Sequence, residues 1–454
     1  MNHIKTPDQT KVSRMPLWLT ITTVTIGFGL LALQGAVFSH GSMSMDSWSY
    51  LSSWWNFHKG VIDPARPPVY SAIVGLLCDA VTLGYTQILM PCIQWTAYIA
   101  SLQLAWIINS WFKASKTLNT IAILLMLLIP GFWVFNDILM AESLSLSGFV
   151  LFTWLTGRYI LSRRKIHLVF SAVMLLTLVF TKPMFIFLIP IVAVVWGYAS
   201  WRDRSRMLIS SISLLTVIGL LLGYASWMKQ SHGVFALAIA STHNKYCCLR
   251  ADGAILPDEI TDPVAREKYL ELYRQDPGVQ NPDNRYMMEV YVFTWPEVKE
   301  IVETAMGNHP EAELEGLAYR FKTSMIHSQF FFYLYGYDEK TDRLCKEWNG
   351  LTENFDNGYI FPFHNYLWFP IWVTAVIWFA FSAIWIRRWI ISRQFPAMAF
   401  LVSASISACY LTALIGAQDM WGRIMTPVTP LIPVTAASVL TICINHFRNN
   451  TIRQ

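Results

Sequence analysis

The stretch IHLVFSAVMLLTLVFTKPMFIFLIPIVAVVWGYAS, residues 166–200, decides the topology of this chain. It contains two apolar segments, 166–181 and 183–200, which meet at Thr181-Lys182-Pro183 and are flanked on both outer sides by basic residues. Proline lacks the amide hydrogen that continues a helix, so a break is expected at this point. The pattern predicts two short helices joined by a tight turn; the alternative is a single kinked or re-entrant segment.

The rest of the sequence is also strongly apolar. Of the 454 residues, 54% are hydrophobic and only 14% are charged, whereas a soluble domain usually carries about 25% charged residues. Apolar runs of roughly 18 to 25 residues recur, which is the length needed to cross a hydrocarbon layer about 30 Å thick. The 20 Trp and 19 Tyr residues fit aromatic belts at membrane interfaces. We therefore expect an all-α polytopic membrane protein, and no basic stripe suggests a nucleic-acid partner.

Ten membrane spans are predicted, and the distribution of positive charge supports them. The spans are 16–38, 87–112, 118–135, 143–162, 166–181, 183–200, 207–228, 366–386, 397–417 and 424–445. With the N-terminus in the cytoplasm, seventeen Lys and Arg residues fall on the inner side, whereas the short outer segments hold four: Lys59, Arg66, Lys182 and Arg423. This is the asymmetry typical of membrane proteins. If the fifth and sixth spans were a single span, every later segment would lie on the opposite side of the membrane. The charge asymmetry would then be lost.

The spans divide the chain into three parts. Residues 1–228 hold the N-terminal transmembrane helices and an interfacial first loop, 39–86; residues 229–365 form a large, mostly helical loop outside the cytoplasm; and residues 366–454 hold the C-terminal helices. Within the large loop, helices are expected at 288–304 and 311–327, with Trp295-Pro296-Glu297 typical of a helix start. The first span is interpreted as a retained helix rather than a cleaved signal peptide.

Cysteines in the large loop could form one disulfide. If the loop lies in an oxidising compartment, Cys345 could pair with Cys247 or with Cys248 and leave one thiol over. Non-reducing peptide mapping would exclude this pairing. The sequence contains no metal-type C-x-x-C motif.

Charged residues gather in the outer segments. Asp46 and Arg66 lie in the first loop, where residues 45–58 have the spacing of an amphipathic interfacial helix and 69–83 form a short apolar segment. Asp137 and Glu142 lie between the third and fourth spans. Lys182 lies in the turn between the fifth and sixth spans, and Arg423 lies between the ninth and tenth spans. Both are predicted on the same side of the membrane as the other four residues. Carboxylates and bases together at an interface indicate a site that binds an anionic substrate and moves a proton.

Each of these residues also has a plain structural interpretation. Asp46 could be an exposed helix cap, and Glu142 could simply favour the N-terminus of the fourth span. Arg66, Lys182 and Arg423 could be anchors that snorkel to lipid headgroups. Their joint position on one side of the membrane favours a site over three separate structural roles.

The first loop resembles a known family of enzymes. Asp46, Ser47 and Tyr50, then Gly60, then Arg66-Pro67-Pro68-x-Tyr70, are similar to the motif of the GT-C superfamily of integral membrane glycosyltransferases. The branch that it looks most like contains the protein O-mannosyltransferases and the aminoarabinose transferases. The acidic residues of the second loop and the segment from Gly422 to Pro427 are also similar to that family. The resemblance covers about residues 39–190 and 418–445.

The resemblance implies a sugar donor linked to a polyprenyl phosphate and used on the outer face of the membrane. It implies that Asp46 is the general base that deprotonates an acceptor hydroxyl, with inversion at the anomeric carbon. Arg66, Lys182 and Arg423 would bind the donor phosphate, and Asp137 and Glu142 would orient the acceptor, tune Asp46 or help to hold a divalent metal ion. No metal ligand is assigned. Further substrate contacts are expected from three residues of the first loop: Tyr50, His58 and Tyr70.

The partners implied are membrane lipid, the polyprenyl-linked sugar, and a glycan, lipid or protein acceptor, in a bacterial inner membrane with the large loop in the periplasm. Three other functions stay open. A glycan polymerase or ligase that uses a polyprenyl-diphosphate donor would also work at this face. A lipid or small-molecule transporter would place its polar groups near the midplane. A non-catalytic membrane scaffold would bind a partner through its large loop, and Asp46→Asn should then change nothing.

Overall fold

The computed structural model describes residues 14–37, 45–61, 63–129, 132–275, 289–326, 371–416 and 425–451. Throughout these ranges the regular structure is helical. The N-terminal helices are α1 Leu17–Val37, α2 Met45–His58, α3 Pro68–Val81, α4 Leu83–Trp111, α5 Lys116–Leu128, α6 Ala141–Ser162, α7 Lys165–Thr181, α8 Leu188–Ser200 and α9 Arg204–His232. The later helices are α10 Ala240–Ala251, α11 Pro263–Gln275, α12 Trp295–Asn308, α13 Pro310–Ile326, α14 Ile371–Ser392, α15 Ala397–Gly416 and α16 Leu431–Thr451. The prediction of an all-α fold is confirmed.

Each of the ten predicted spans overlaps a helix of the described residues. Seven helices of the described ranges are long and apolar enough to cross a membrane. The other three spans correspond to α1, α5 and α7, whose described parts are shorter apolar helices. The chain is therefore a multi-pass membrane protein. The helix predicted at 45–58 is α2, and the short apolar segment predicted at 69–83 is α3.

Some predicted boundaries differ from the observed ones. The third span was expected to reach residue 135, but α5 ends at Leu128 and a 3-10 helix follows at Val134–Asp137. Ile129 precedes Pro130 and is extended, with φ −90° and ψ 112°, because proline disfavours helical backbone at the residue before it. In the large loop, a 3-10 helix at Val290–Val292 precedes α12, which begins at Trp295. Thr294 and Glu297 form a capping box there, as the helix-start motif predicts.

The stretch 166–200 folds as two helices that run in opposite directions. α7 ends at Thr181, and a 3-10 turn at Pro183–Phe187 leads into α8. Arg163, which precedes α7, donates to the carbonyl of Ala199 near the end of α8. Lys165 Nζ, at the start of α7, lies 2.8 Å from Ser205 Oγ at the start of α9. The beginning of α7 and the end of α8 therefore lie at one end of the bundle, as the two-helix interpretation requires.

The two largest hydrophobic clusters of the described ranges are built from different parts of the chain. The larger is built from the membrane helices at both ends of the chain, from Met15 to Val434, and α6 lies near its centre, packed between α4 and α7. The smaller is formed only by residues of the large loop, from Tyr246 to Ala305. Within it Arg250 is 1% exposed, pairs with Glu289 and lies over the rings of two tyrosines. A buried charge of this kind is tolerated because it is paired.

Candidate functional site

Arg66 lies along one face of α2. Its Nη2 donates to Asp46 Oδ1, its Nε donates to Ser49 Oγ at 2.6 Å, and its guanidinium carbon is 4.8 Å from the centre of the Tyr50 ring. The three partners are spaced i, i+3 and i+4 and so share one side of the helix. The side chains of Arg66 and Asp46 are 18% and 22% exposed. The structure therefore brings together three of the residues that the sequence singled out, with Ser49 in addition.

The segment before α3 holds Arg66 in this position. Asp63 Oδ1 accepts a hydrogen bond from the amide of Ala65 at 2.8 Å, a local turn that aspartate commonly makes. Pro67 is extended, with φ −62° and ψ 148°, and Pro68 occupies the first turn of α3, where its missing amide hydrogen costs nothing. The two prolines thus fix the direction in which the chain leaves Arg66.

A chain of buried polar contacts joins this face to the second outer loop. The Tyr50 and Tyr70 rings meet edge to face with centroids 4.7 Å apart, and the Tyr70 hydroxyl donates to Gln94 Oε1 at 3.0 Å. Gln94 Nε2 in turn donates to three backbone carbonyls at 2.9 to 3.1 Å, those of Phe135, Asn136 and Ile138. Gln94 is fully buried. It is the residue that fixes the second loop against α4, and the sequence analysis did not select it.

Asp137 is held by the same helix. Its Oδ1 accepts from the Trp95 indole at 3.1 Å, and its side chain is buried. Asn136 Oδ1 accepts from the Ser143 hydroxyl at 2.6 Å, at the start of α6. Neighbouring residues of α4, Gln94 and Trp95, therefore bind the backbone and the carboxylate of one short segment.

Glu142 and Lys182 form a second ion pair. Lys182 Nζ lies 3.1 Å from Glu142 Oε1, and the two side chains are 14% and 0% exposed. Glu142 lies in the first turn of α6, where the helix dipole favours a carboxylate, so its structural interpretation also fits. Lys182 is extended between α7 and Pro183. A snorkelling lysine keeps its ammonium in water; this one faces a buried carboxylate instead.

The two ion pairs are neighbours. Tyr70 packs against Tyr50, and both rings belong to one buried cluster with Ala141, the residue before Glu142. The site thus has one pair at the face of α2 and one at the start of α6, with Tyr70 between them. We call these four charged residues and Tyr70 the outer-face cluster, after the side of the membrane on which the sequence predicts them to lie.

The structure does not bring His58 to the outer-face cluster. His58 Nε2 lies 2.9 Å from Asp79 Oδ2, its side chain is 57% exposed, and the Trp54 indole donates to the same oxygen at 2.8 Å. His58 and Asp46 lie near opposite ends of α2, which separates them by roughly 18 Å at 1.5 Å per residue. Arg423, the third predicted phosphate ligand, lies outside the described residues, as do residues 418–422 before it and Cys345.

A small pocket lies between α2 and α3 beside Arg66. Its volume is about 120 Å³. Trp54 and Phe57 stack at 5.5 Å on one side of it, and the complete lining is Ser53, Trp54, Phe57, Arg66, Pro68, Ser71 and Ala72. Arg66 is the one charged residue of this otherwise largely apolar lining.

The acidic residues do not form a metal site in the described part of the chain. There, no group of three or more His, Cys, Asp or Glu side chains is arranged to hold an ion. The proposed ligands Asp137 and Glu142 are directed to an indole and to an ammonium, respectively. The residues therefore do not fit a metal centre, and no step below uses one.

Solved structures of one archaeal enzyme are similar to this chain. The Archaeoglobus fulgidus oligosaccharyltransferase in complex with Zn and sulfate is 11% identical with a TM-score of 0.49, covering 94% of this chain and 49% of that chain. The AglB oligosaccharyltransferase of the same organism with an inhibitory peptide and a dolichol-phosphate is 12% identical with a TM-score of 0.48, covering 96% and 51%. This chain thus spans about half the length of those proteins.

No protein-family profile matches the sequence, and no curated protein matches it.

Proposed function

We propose that this protein is a membrane glycosyltransferase of the GT-C type, which transfers a sugar from a polyprenyl-phosphate donor to an acceptor hydroxyl. The observation that carries the proposal is the contact between Asp46 and Arg66. It puts a carboxylate that can take a proton beside a guanidinium that can bind a phosphate. When a hydroxyl displaces a lipid phosphate from a sugar, the proton acceptor and the phosphate ligand are needed at the same place.

Asp46 is the proposed general base. As the acceptor oxygen attacks the anomeric carbon, Asp46 takes the hydroxyl proton, the bond between that carbon and the phosphate oxygen breaks, and its electron pair stays on the phosphate. The products are the inverted glycoside and free polyprenyl phosphate. A base acts only within about 3 Å of the hydroxyl, so the acceptor has to reach an Asp46 oxygen beside Arg66.

Arg66 is the proposed ligand of the leaving phosphate. Its planar fork of donors fits two phosphate oxygens at once. When Asp46 becomes protonated, Arg66 loses an anionic partner in the same step in which the phosphate gains charge. Arg66 therefore exchanges one anionic partner, the Asp46 carboxylate, for another, the leaving phosphate. Lys182 and Arg423 are proposed as secondary cations, although Glu142 offsets part of the charge of Lys182.

The pocket beside Arg66 supports a lipid-linked phosphate over a water-soluble one. Trp54, Phe57 and Pro68 offer apolar surface to the first units of a polyprenyl chain, and Arg66 lies in the same wall. A polyprenyl tail stays in the bilayer, so its headgroup reacts at the interface, where α2 and α3 are expected. We further propose that this face is the periplasmic side of a bacterial inner membrane. The acceptor is a hydroxyl of a lipid, a polysaccharide or a protein.

The proposal is tested with purified protein and a panel of polyprenyl-phosphate sugars. A membrane lipid and glycan extract supplies the acceptor, and free polyprenyl phosphate is measured. We expect release from one donor, dependent on the acceptor. Release only from polyprenyl-diphosphate donors would favour a polymerase or ligase, and no release from any donor by folded protein would contradict the proposed reaction.

A further inference from the structure

The large loop reaches the outer-face cluster through the start of α10. The amide of Ile239, the residue before α10, donates to the carbonyl of Pro64 at 2.9 Å. Pro64 lies two residues before Arg66. Val234, Ala238 and Ile239 are all buried, so this contact is an internal one, and it sets the first turn of α10 against the segment that carries Arg66.

His243 is the side chain that α10 brings to this place. It follows Ile239 by four residues and so lies on the same side of the helix. It is 4% exposed, and its ring stacks on Trp295 of α12, with centroids 4.5 Å apart and an angle of 23°. The stack fixes the plane of the imidazole, and with it the directions in which the two ring nitrogens can form hydrogen bonds.

Arg66 and His243 affect each other electrostatically. Burial, and then the positive charge of Arg66, lower the pKa of His243 from its usual 6.5 to about 4. The imidazole is therefore uncharged at neutral pH. An uncharged imidazole has one N–H donor and one acceptor nitrogen. Such a donor can bind an anionic oxygen without adding a second cation beside Arg66.

We propose that His243 is a further substrate-binding residue, which donates a hydrogen bond to the phosphate that Arg66 holds. This rests on the proposed function and extends it, because it assigns to the large loop a direct part in binding the donor. The membrane helices supply the charge through Arg66, and the loop supplies an oriented neutral donor through His243. The ligand class is a lipid-linked phosphate.

The test compares two ring substitutions in the full-length protein. His243→Phe keeps the ring, the burial and the stack on Trp295 but removes the donor, whereas Trp295→Phe changes the stack and keeps the donor. Binding of polyprenyl phosphate is measured by native mass spectrometry in detergent, with thermal unfolding as the measure of folding. Hydrogen bonds to charged groups are strong enough that we expect the Kd to rise about tenfold or more in His243→Phe. Trp295→Phe keeps an aromatic ring against the imidazole as well as the donor, so it should weaken binding much less than His243→Phe.

A rescue variant separates binding from folding. His243→Gln restores an N–H donor at a similar distance and should recover part of the affinity. An unchanged Kd in His243→Phe, or weakened binding in Trp295→Phe equal to that in His243→Phe, would overturn the inference. Inorganic phosphate and phosphatidylglycerol are used as competitors. Displacement of polyprenyl phosphate by either at similar concentration would also overturn it, because the site would then bind phosphate or headgroups in general.

This outcome is distinguishable from failure of the proposed reaction. A wild-type protein that releases polyprenyl phosphate from its donor, together with a His243→Phe variant of normal Kd, would leave the glycosyltransferase intact and remove only His243. A protein that binds polyprenyl phosphate through His243 but transfers no sugar would retain the binding residue and remove the reaction.

Discussion

Arg66 donates directly to the carboxylate of Asp46, although twenty residues separate them in the chain. Ser49 and Tyr50 complete the contact, so the guanidinium is bonded to α2 along its edge and covered on one face by an aromatic ring. In the proposed reaction this pair is the resting state. The donor phosphate competes with Asp46 for Arg66, so donor binding should weaken the contact between Arg66 and Asp46 Oδ1.

Arg66→Lys should weaken donor binding although it conserves the charge. A lysine ammonium cannot form a planar fork to Asp46, Ser49 and a phosphate together. We expect the KM for the donor to rise by roughly tenfold to a hundredfold, which is the loss of one or two charge-assisted hydrogen bonds. Steady-state kinetics with varied donor measures this.

The matched control for that variant is Arg206→Lys. Arg206 pairs with Asp203 at 2.9 Å, at the opposite end of the bundle, and both side chains are more than one-third exposed. It should leave the KM unchanged. An equal change in the KM for the donor in the two variants would contradict a specific role of Arg66 in donor binding.

The pair of Glu142 and Lys182 should be strongly coupled in stability. Glu142 is fully buried, so Lys182→Met leaves a buried carboxylate without the cation that it faces, and loss of one partner of such a pair costs about 3 to 5 kcal/mol. The double variant Lys182→Met/Glu142→Gln should be more stable than Lys182→Met alone. Thermal unfolding in detergent of the wild type, Lys182→Met, Glu142→Gln and the double variant measures the coupling. If the effects of the two substitutions on stability simply add, a direct pair is contradicted.

Gly75→Ala should separate α2 from α3. A Cβ at Gly75 would lie 1.9 Å from Cγ of Trp54, whereas one at Gly84 would meet nothing within 4 Å. Overpacking of this kind costs about 1 to 3 kcal/mol, and it displaces the helix that carries Asp46. We expect a lower melting temperature and lower activity in Gly75→Ala, with Gly84→Ala as the unaffected control. Normal activity in both would mean that the spacing of α2 and α3 does not matter for the reaction.

Acid should destabilise the protein partly through His243. Its folded-state pKa of about 4 lies below the unfolded value of about 6.5, so between these values the unfolded chain binds more protons. Stability is therefore lost as the pH falls from 6.5 towards 4, by roughly 2.5 kcal/mol at pH 4.5. The melting temperature of His243→Phe should fall less steeply over that interval than that of the wild type. Parallel curves would contradict the buried, uncharged state of His243.

The helices could be predicted well because their signals are local. Thr181-Lys182-Pro183 breaks the stretch 166–200 where the structure ends α7, and residues 45–58 form α2. The boundary error at the third span has a local cause too. Ile129 is extended because proline follows it. The apolar residues continue beyond this point, so their length alone predicted a longer helix.

The outer-face cluster was only partly predictable. Asp46, Tyr50 and Arg66 come together because helical spacing and two prolines bring them to one face. Gln94 carries no such signal, since its partners are carbonyls 41 to 44 residues away in the chain. His58 was selected as a polar residue of the same first loop, yet a helix of 14 residues puts it and Asp46 near opposite ends. His243 lies in another part of the chain, and only the tertiary fold brings it near Arg66.

Asp46→Asn tests the central claim most directly. The amide fills the same space and keeps an oxygen for Arg66, but it cannot accept the proton of an acceptor hydroxyl. Release of polyprenyl phosphate from the preferred donor should fall by about a hundredfold or more, while polyprenyl-phosphate binding and the melting temperature stay close to wild type. Asp203→Asn, the same change at the opposite end of the bundle, should release it normally. Undiminished release by Asp46→Asn would contradict the assignment of Asp46 as the base.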